Sequence, residues 1–322
     1  MSRQGILFIL VGPSAAGKNT LMKRVQEQLG DLPQLATATT RQPREEEVEG
    51  LEHRFVTKAA FQDLIDTGAL IEYTPVHMDD WYGTPRQTVE DALHTGQDLI
   101  ADIEFLGATK IHAAYPESTV LIFVTPSQLE SLPERIRQRG GLSRQAIANR
   151  FERAKFEMTF APKCDYLILN DIIDPAVEHL RQVIISERAR HTGQTPRLDK
   201  PTFHSASIGL IQHDDHLLVE ADSVGYKLPT FPITDPSQLP HIALQQAAQE
   251  TLGHAVTIET LSDKRFDFTA PHYVTLAAIP QDVYLYYYYK CRPPQPFSTT
   301  PGWVWQPVDA LNLPSAIRRL LT

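Results

Sequence analysis

Cysteine is scarce in this sequence: 322 residues carry only Cys164 and Cys291, far apart in the chain. Two such residues exclude a disulfide framework and a cysteine-rich zinc site. Positive charge is short as well. Lys and Arg number 30 against 39 Asp and Glu, split 21 against 27 over residues 1–190 and 9 against 12 beyond. Neither half has the basic footprint of a nucleic-acid binder, so no nucleic-acid partner is expected; small anionic ligands need only local positive charge. No apolar run approaches the roughly 20 residues of a membrane span, and no membrane association is expected. Gly5–Val11 is a short apolar run ending in a glycine turn, which reads as a buried strand rather than a secretory leader. Together these absences predict a soluble, cytoplasmic protein.

What is present suits an ordinary globular chain, 42% hydrophobic and 21% charged. Its length predicts two domains. In the first half, apolar runs at Gly5–Val11, Asp98–Ile103, Val120–Val124 and Tyr166–Leu169 alternate with helical patterns at Thr20–Leu29, Ser143–Met158 and Asp174–Arg190. That alternation predicts an α/β domain with a parallel sheet over residues 1–190. Residues 191–203 are polar, contain two prolines and show no periodicity, as expected of a linker. The last 132 residues hold 14 of the 24 prolines, and a tyrosine-rich run, Val283–Tyr289, lies beyond the linker. Short strands dominate there, with helices expected at Ala243–Leu252 and Ala316–Leu321.

Between the first strand and the first helix stands Gly12-Pro13-Ser14-Ala15-Ala16-Gly17-Lys18-Asn19-Thr20. A Gly-x-x-x-x-Gly-Lys pattern in that context is a phosphate-binding loop. Its glycines turn backbone N–H groups inward, the helix N-terminus adds its dipole, and Lys18 reaches the β- and γ-phosphates. The same residues would also suit a plain strand–turn–helix. The hydroxyl that binds Mg²⁺ normally follows the lysine; here Asn19 takes that place and Thr20 comes next.

After the first helix comes Thr39-Thr40-Arg41-Gln42-Pro43-Arg44-Glu45-Glu46-Glu47-Val48-Glu49-Gly50. Arg41 and Arg44, with a proline between them, present two guanidinium forks suited to a phosphate dianion. A charged surface loop of self-pairing Arg and Glu is the plainer alternative. The segment closely resembles the signature of guanylate kinases. The resemblance runs from Gly5 to about Arg190 through the phosphate loop, Glu72, Tyr82-Gly83-Thr84-Pro85, Asp102-Ile103-Glu104, the arginines from Arg135 to Arg153, and Asn170-Asp171.

The resemblance implies a P-loop nucleoside monophosphate kinase fold that takes ATP, Mg²⁺ and GMP, with dGMP as a further acceptor. It places Arg41, Arg44 and Tyr82, with Glu47 and His53, around the GMP phosphate, and Thr37, Glu72, Thr84 and Glu104 around guanine. Gly12, Ser14, Ala15, Ala16, Gly17, Lys18, Asn19 and Thr20 would cradle ATP, with Asn170 near the adenine. Asp102, and Thr20 in place of the missing hydroxyl, would serve Mg²⁺. Arg135, Arg139 and Arg150 would form a lid over the ATP phosphates, hinged at Gly140-Gly141. Lys18, Arg41 and these three arginines form the expected catalytic set. Glu104 lies two residues after Asp102 and on a strand would share its face. The sequence departs from the family at His53, where tyrosine is usual, at Glu104, where aspartate is usual, at Ala15, which replaces a loop glycine, and in a stretch from Glu72 to Tyr82 that is one residue longer.

The order of elements from Thr202 to Thr322 resembles a Nudix domain, an α+β fold that hydrolyses substituted nucleoside diphosphates. Its metal-binding helix is depleted. Aligned on Gly253, only Glu250 remains of the carboxylates, with Gln246, Ala247 and Thr251 at the other positions. One carboxylate rarely holds a divalent cation, so this region is expected to bind a nucleotide or a protein partner rather than to hydrolyse one. Three functions follow: an ATP- and Mg²⁺-dependent guanylate kinase, a catalytically silent binding module on the same fold, or a hydrolase acting through the C-terminal region. Retention of Lys18, Asp102, Arg41 and Arg44 favours the first.

Overall fold

In the computed structural model, residues 3–43, 47–51, 53–77, 80–138, 140–221, 223, 225–259, 269–279, 281–293 and 302–321 are described. Contacts group them into two compact units. One comprises residues 1–126 and 164–200, the other residues 127–163 and 201–322.

The first unit opens on β1, Leu7–Val11, with every residue buried. An unbroken apolar run of this kind belongs to a strand covered on both faces. The chain turns into α1, Lys18–Leu29, and on to β2, Thr37–Thr39, and β3, His53–Phe55. It continues through α2, Lys58–Asp66, β4, Leu70–His77, β5, Asp80–Pro85, and α3, Arg86–Thr95. Then come β6, Leu99–Asp102, α4, Phe105–Ala114, and β7, Thr119–Thr125. Helices α5, Leu132–Gln138, and α6, Arg144–Glu157, belong to the second unit, after which β8, Tyr166–Leu169, and α7, Ile173–His191, return to the first.

Strands β6-β1-β7-β8 form a parallel sheet. Leu21, Met22 and Val25 of α1 and Val177, Leu180, Val183 and Ile184 of α7 pack with Phe8, Leu10, Ile122 and Ile168 into one apolar core. A second sheet, β3-β2-β5-β4, was not foreseen, because its strands are short and lack an apolar alternation. Ala38, Phe61 and Leu70 form its apolar underside, where α2 lies.

The second unit adds β9, Thr202–His213, β10, His216–Ala221, β11, Tyr226–Lys227, and β12, Thr230–Ile233. Helix α8, Pro240–Leu252, precedes β13, Thr257–Ile258, β14, Tyr273–Ile279, β15, Asp282–Arg292, β16, Trp303–Pro307, and α9, Ser315–Leu321. The tyrosine run becomes the centre of β15, whose Val283, Leu285, Tyr287, Tyr289 and Cys291 are buried in strict alternation. β15 pairs in parallel with β9 from Asp282↔Thr202 to Cys291↔Ile211. That long-range pairing draws Thr202 and Phe203 out of the expected linker and into a strand. Among the described residues, no helix is long and apolar enough to cross a membrane.

Candidate active site

The β3-β2-β5-β4 sheet sorts its side chains by alternation. Thr37 pairs with His53, Thr39 with Phe55 and with Tyr82, and Glu72 with Thr84. Directly paired residues share a face, as do residues two apart, so all of these project to the side opposite α2. Side-chain contacts agree. Thr37 Oγ1 lies 2.8 Å from His53 Nδ1, and the His53 ring meets Tyr82 edge-on at 5.5 Å. Arg41 Nε donates to the Tyr82 hydroxyl at 2.7 Å, and its two terminal nitrogens take both Glu47 oxygens at 2.9 and 2.8 Å. Glu47 pushes the already high pKa of Arg41 further up, ahead of the opposing cost of burial. The guanidinium also stands over Phe55, 5.8 Å from the ring centre. Arg44 lies outside the described residues.

Glu72 is the other pole of this face. It is 6% exposed, and Thr84 donates its hydroxyl to Oε1 at 2.7 Å. Burial pushes the carboxyl above its ordinary range and the negative charge of Glu104 adds to the effect, while the Thr84 hydrogen bond and the Lys110 ammonium oppose it. Two contributors here carry no motif. Lys110, on α4, lies over the Tyr73 ring at 5.9 Å. Gly107 brings the α4 backbone so near Glu72 that a side chain there would strike the carboxylate. The detectable signal was a glycine early in a helix, which flags close packing. Glu104 corrects an expectation: β6 ends at Asp102, and Glu104 is the residue that leads into α4, so the two do not share a strand face.

In the phosphate loop, Gly12 and Gly17 have φ of 126° and 91°, open to glycine but strained for other residues. Ala15 also sits at a positive φ, 68°, which explains why glycine is usual at that position. Lys18 Nζ donates to the Gly12 and Pro13 carbonyls at 2.7 and 3.2 Å and lies 3.7 Å from Asp102 Oδ1. Asp102 reaches the loop because β6 and β1 are parallel neighbours, with Leu10 opposite Asp102. Ser14 is half-buried, whereas Asn19 and Thr20 are exposed in the first turn of α1. Asn170 is buried behind the loop. Its amide donates to the Ala16 carbonyl at 2.7 Å and would crowd any side chain at position 17. That contact gives Asn170 a hold on the loop backbone.

Arg135 lies on α5 and Arg150 on α6, both half-buried and both in the second unit. Arg137 is paired with Glu134 on the surface of α5, and Arg144 is exposed. Ser143 caps α6 by accepting from the Ala146 N–H at 3.2 Å, while Gly140 and Gly141 take φ of 77° and 74° just before it. Arg139 lies outside the described residues. On α8, Gln246 and Glu250 are exposed, and Gly253 ends the helix with φ of 72°. Among the described residues, no group of three or more His, Cys, Asp or Glu is placed to hold a metal ion.

The sequence family described as guanylate kinase matches residues 4–187. A guanylate kinase of Caldanaerobacter subterraneus subsp. tengcongensis is 39% identical over 190 residues, which cover 59% of this chain and 91% of that protein. Among solved structures, guanylate kinase from Anaplasma phagocytophilum is similar at 26% identity and a TM-score of 0.47, over 59% of this chain and 88% of the other. A Nudix-family hydrolase from Clostridium perfringens is similar at 18% identity and a TM-score of 0.30, over 37% of this chain and 93% of the other.

Proposed function

Because the chain belongs to the guanylate kinase family, we propose that it transfers the γ-phosphoryl group of ATP to GMP, giving ADP and GDP. The observation that carries the choice of acceptor is the buried Glu72–Thr84 pair. Guanine presents N1–H and its exocyclic amine side by side, and one carboxylate accepts from both. Adenine would set a ring nitrogen's lone pair against the carboxylate instead. Thr84 fixes the orientation of Glu72, Thr37 borders the same face, and Glu104 contributes from the start of α4. Arg41 and Arg44 receive the GMP phosphate together with Tyr82. Glu47 and His53 hold Arg41 and Tyr82 in place.

On the donor side, the loop from Gly12 to Thr20 cradles ATP and Lys18 releases the loop carbonyls to meet its phosphates. Asn170 keeps the loop backbone in shape. Arg135, Arg139 and Arg150 neutralise charge on the transferring group. Thr20 and Asp102 fit Mg²⁺, because a hydroxyl and a carboxylate are hard oxygen donors and this ion takes its remaining ligands from phosphate and water. When bound, Mg²⁺ neutralises phosphate charge and helps align the two nucleotides. In-line transfer depends on positioning and electrostatics, so no protein group need act as a general base. The proposed site of action is the cytoplasm, in keeping with two buried free thiols.

ADP formation with ATP and Mg²⁺, measured in parallel against GMP, dGMP, AMP, UMP and CMP, tests the proposal. Turnover confined to GMP and dGMP is expected. Absence of turnover with every acceptor would move the chain to the silent binding-module class, and turnover with AMP would refute the role of Glu72.

A further inference from the structure

The segment that carries Arg135 and Arg150 does not group with the phosphate loop; it forms one compact unit with residues 201–322. Hydrogen bonds tie its C-terminal half to residues 201–322. Burial pushes the Tyr273 hydroxyl above its ordinary pKa, and the charge of Glu130, just ahead of α5, adds to the effect. Lys155 Nζ, on α6, donates to the His272 carbonyl at 3.1 Å. The Tyr287 hydroxyl donates to the Met158 carbonyl at 3.1 Å where α6 passes into a 3₁₀ turn, and that turn packs on β9.

The Lys155 contact is the most demanding of these. Its side chain is 7% exposed, its ammonium lies 5.5 Å from the centre of the Phe151 ring, and Glu152 Oε2 is 2.7 Å away, off the hydrogen-bond direction. A buried ammonium needs its acceptors in place, so the His272 carbonyl fixes where Lys155 and its helix stand. His272 is itself held. Its N–H donates to the Tyr288 carbonyl at 2.8 Å, and its Nδ1 accepts from the Lys290 N–H at 3.2 Å. Burial, aided by Lys155, pushes the imidazole down to about 4, which keeps Nδ1 an acceptor at neutral pH. Arg150 precedes Lys155 by five residues on the same helix, so a shift of one moves the other.

We propose that Lys155 is a positioning residue for phosphoryl transfer: bound to the His272 carbonyl, it seats α6 on the C-terminal sheet and thereby sets Arg150 for the ATP phosphates. The C-terminal region thus bears on phosphoryl transfer through α6, which lies in the same unit. This rests on the assignment of Arg150 to ATP made above.

The test uses the full chain with Lys155→Met, which keeps most of the stem and removes the ammonium, Lys155→Arg, and Tyr287→Phe, which removes one buried hydroxyl. For Lys155→Met, kcat is expected to fall and KM for ATP to rise, each on the order of tenfold, because a small misplacement remote from the reacting atoms is costly. KM for GMP should stay within about twofold of the parent value, since the acceptor face is built by other elements. Lys155→Arg should recover most of the loss, and Tyr287→Phe should move the ATP parameters in the same direction by less. Unchanged ATP kinetics in Lys155→Met and Tyr287→Phe would overturn the proposal while leaving the kinase assignment intact. Equal increases in both KM values together with a lowered melting temperature would show a merely structural role and overturn it as well. A parent chain without turnover would overturn the assignment and this inference together.

Discussion

A methyl group on Gly107 would stand 2.6 Å from Oε2 of Glu72 and 2.8 Å from its Cδ. Those distances are inside van der Waals contact, and the carboxylate cannot yield freely because Thr84 binds its other oxygen. Gly107→Ala should therefore displace Glu72 without touching the phosphate loop. Expected is a rise in KM for GMP on the order of tenfold with KM for ATP unchanged, since a lost or bent charge-assisted hydrogen bond costs about 1.5–3 kcal/mol. Steady-state kinetics with each nucleotide varied in turn would check this. Equal effects on both substrates would place Gly107 in general packing instead.

Glu72 also links pH to stability. Its folded pKa lies above its unfolded value, chiefly through burial. Between those two values the native state holds more protons than the unfolded chain, so stability falls as pH rises through that window and stays reduced above it. Glu72→Gln removes the penalty. Without nucleotide, the variant should melt higher than the parent at neutral pH, and the difference should vanish below the unfolded carboxylate range. Its GMP turnover should drop on the order of a hundredfold, because an amide N–H₂ would face a guanine donor. In the parent, KM for GMP should rise as pH falls through the folded pKa. Melting curves and KM across pH test both signs; a variant less stable than the parent at neutral pH would contradict the argument.

Ala15 holds a φ of 68° in the phosphate loop. An L-residue there carries a cost of roughly 1–2 kcal/mol, partly offset by the greater freedom that glycine would have in the unfolded chain. Ala15→Gly should leave kcat within about a factor of two, because no side-chain contact with phosphate is lost, and should stabilise the chain by up to about 1 kcal/mol. Denaturant unfolding monitored beside activity would decide it. A destabilised but active Ala15→Gly would mean that the methyl group, buried here, contributes more by packing than its conformation costs.

The parallel sheet and the phosphate loop were legible in the sequence because their signals are local. Five apolar residues in β1 and the glycines at 12 and 17 each declare themselves within a few positions. The acceptor face was legible only by resemblance. Thr37, Glu72, Tyr82 and Thr84 are ordinary strand residues until register places them on one face; the β2–β5 register depends on pairs more than forty residues apart, and the β4–β5 register is shifted between Leu70 and Glu72 and between Pro75 and His77. Gly107 and Lys155 left weaker traces still. A glycine in a helix and a lysine in an amphipathic pattern each have many explanations, and only the carboxylate beside one and the carbonyl beside the other select between them. The β9–β15 pairing likewise joins segments about eighty residues apart, beyond any local pattern.

Asp98 governs the seating of the strand that leads into the phosphate loop. Its carboxylate is buried, yet it takes both terminal nitrogens of Arg3 at 2.7 and 2.9 Å, Arg188 Nε at 2.7 Å and the Ile6 N–H at 2.9 Å. Burial by itself would raise its pKa, but the Arg3 and Ile6 hydrogen bonds and the charges of Arg3 and Arg188 outweigh it and hold the carboxyl below its usual range. For a carboxylate with a depressed folded pKa, the stabilisation is complete above the unfolded value and is lost as pH falls through the folded one. The parent should therefore lose stability on acidification over that window. Asp98→Asn should lack this part of the pH dependence. At neutral pH it should be less stable by about 3 kcal/mol, because two guanidinium groups lose their shared anion. Urea unfolding at neutral pH and again near the bottom of the carboxylate range would measure both. A constant gap between parent and Asp98→Asn across that range would assign the loss to packing rather than to charge. A gap that closes with acid would fix Asp98 as the electrostatic tie that anchors the N-terminal end of β1 and α7 to the strand next to the loop.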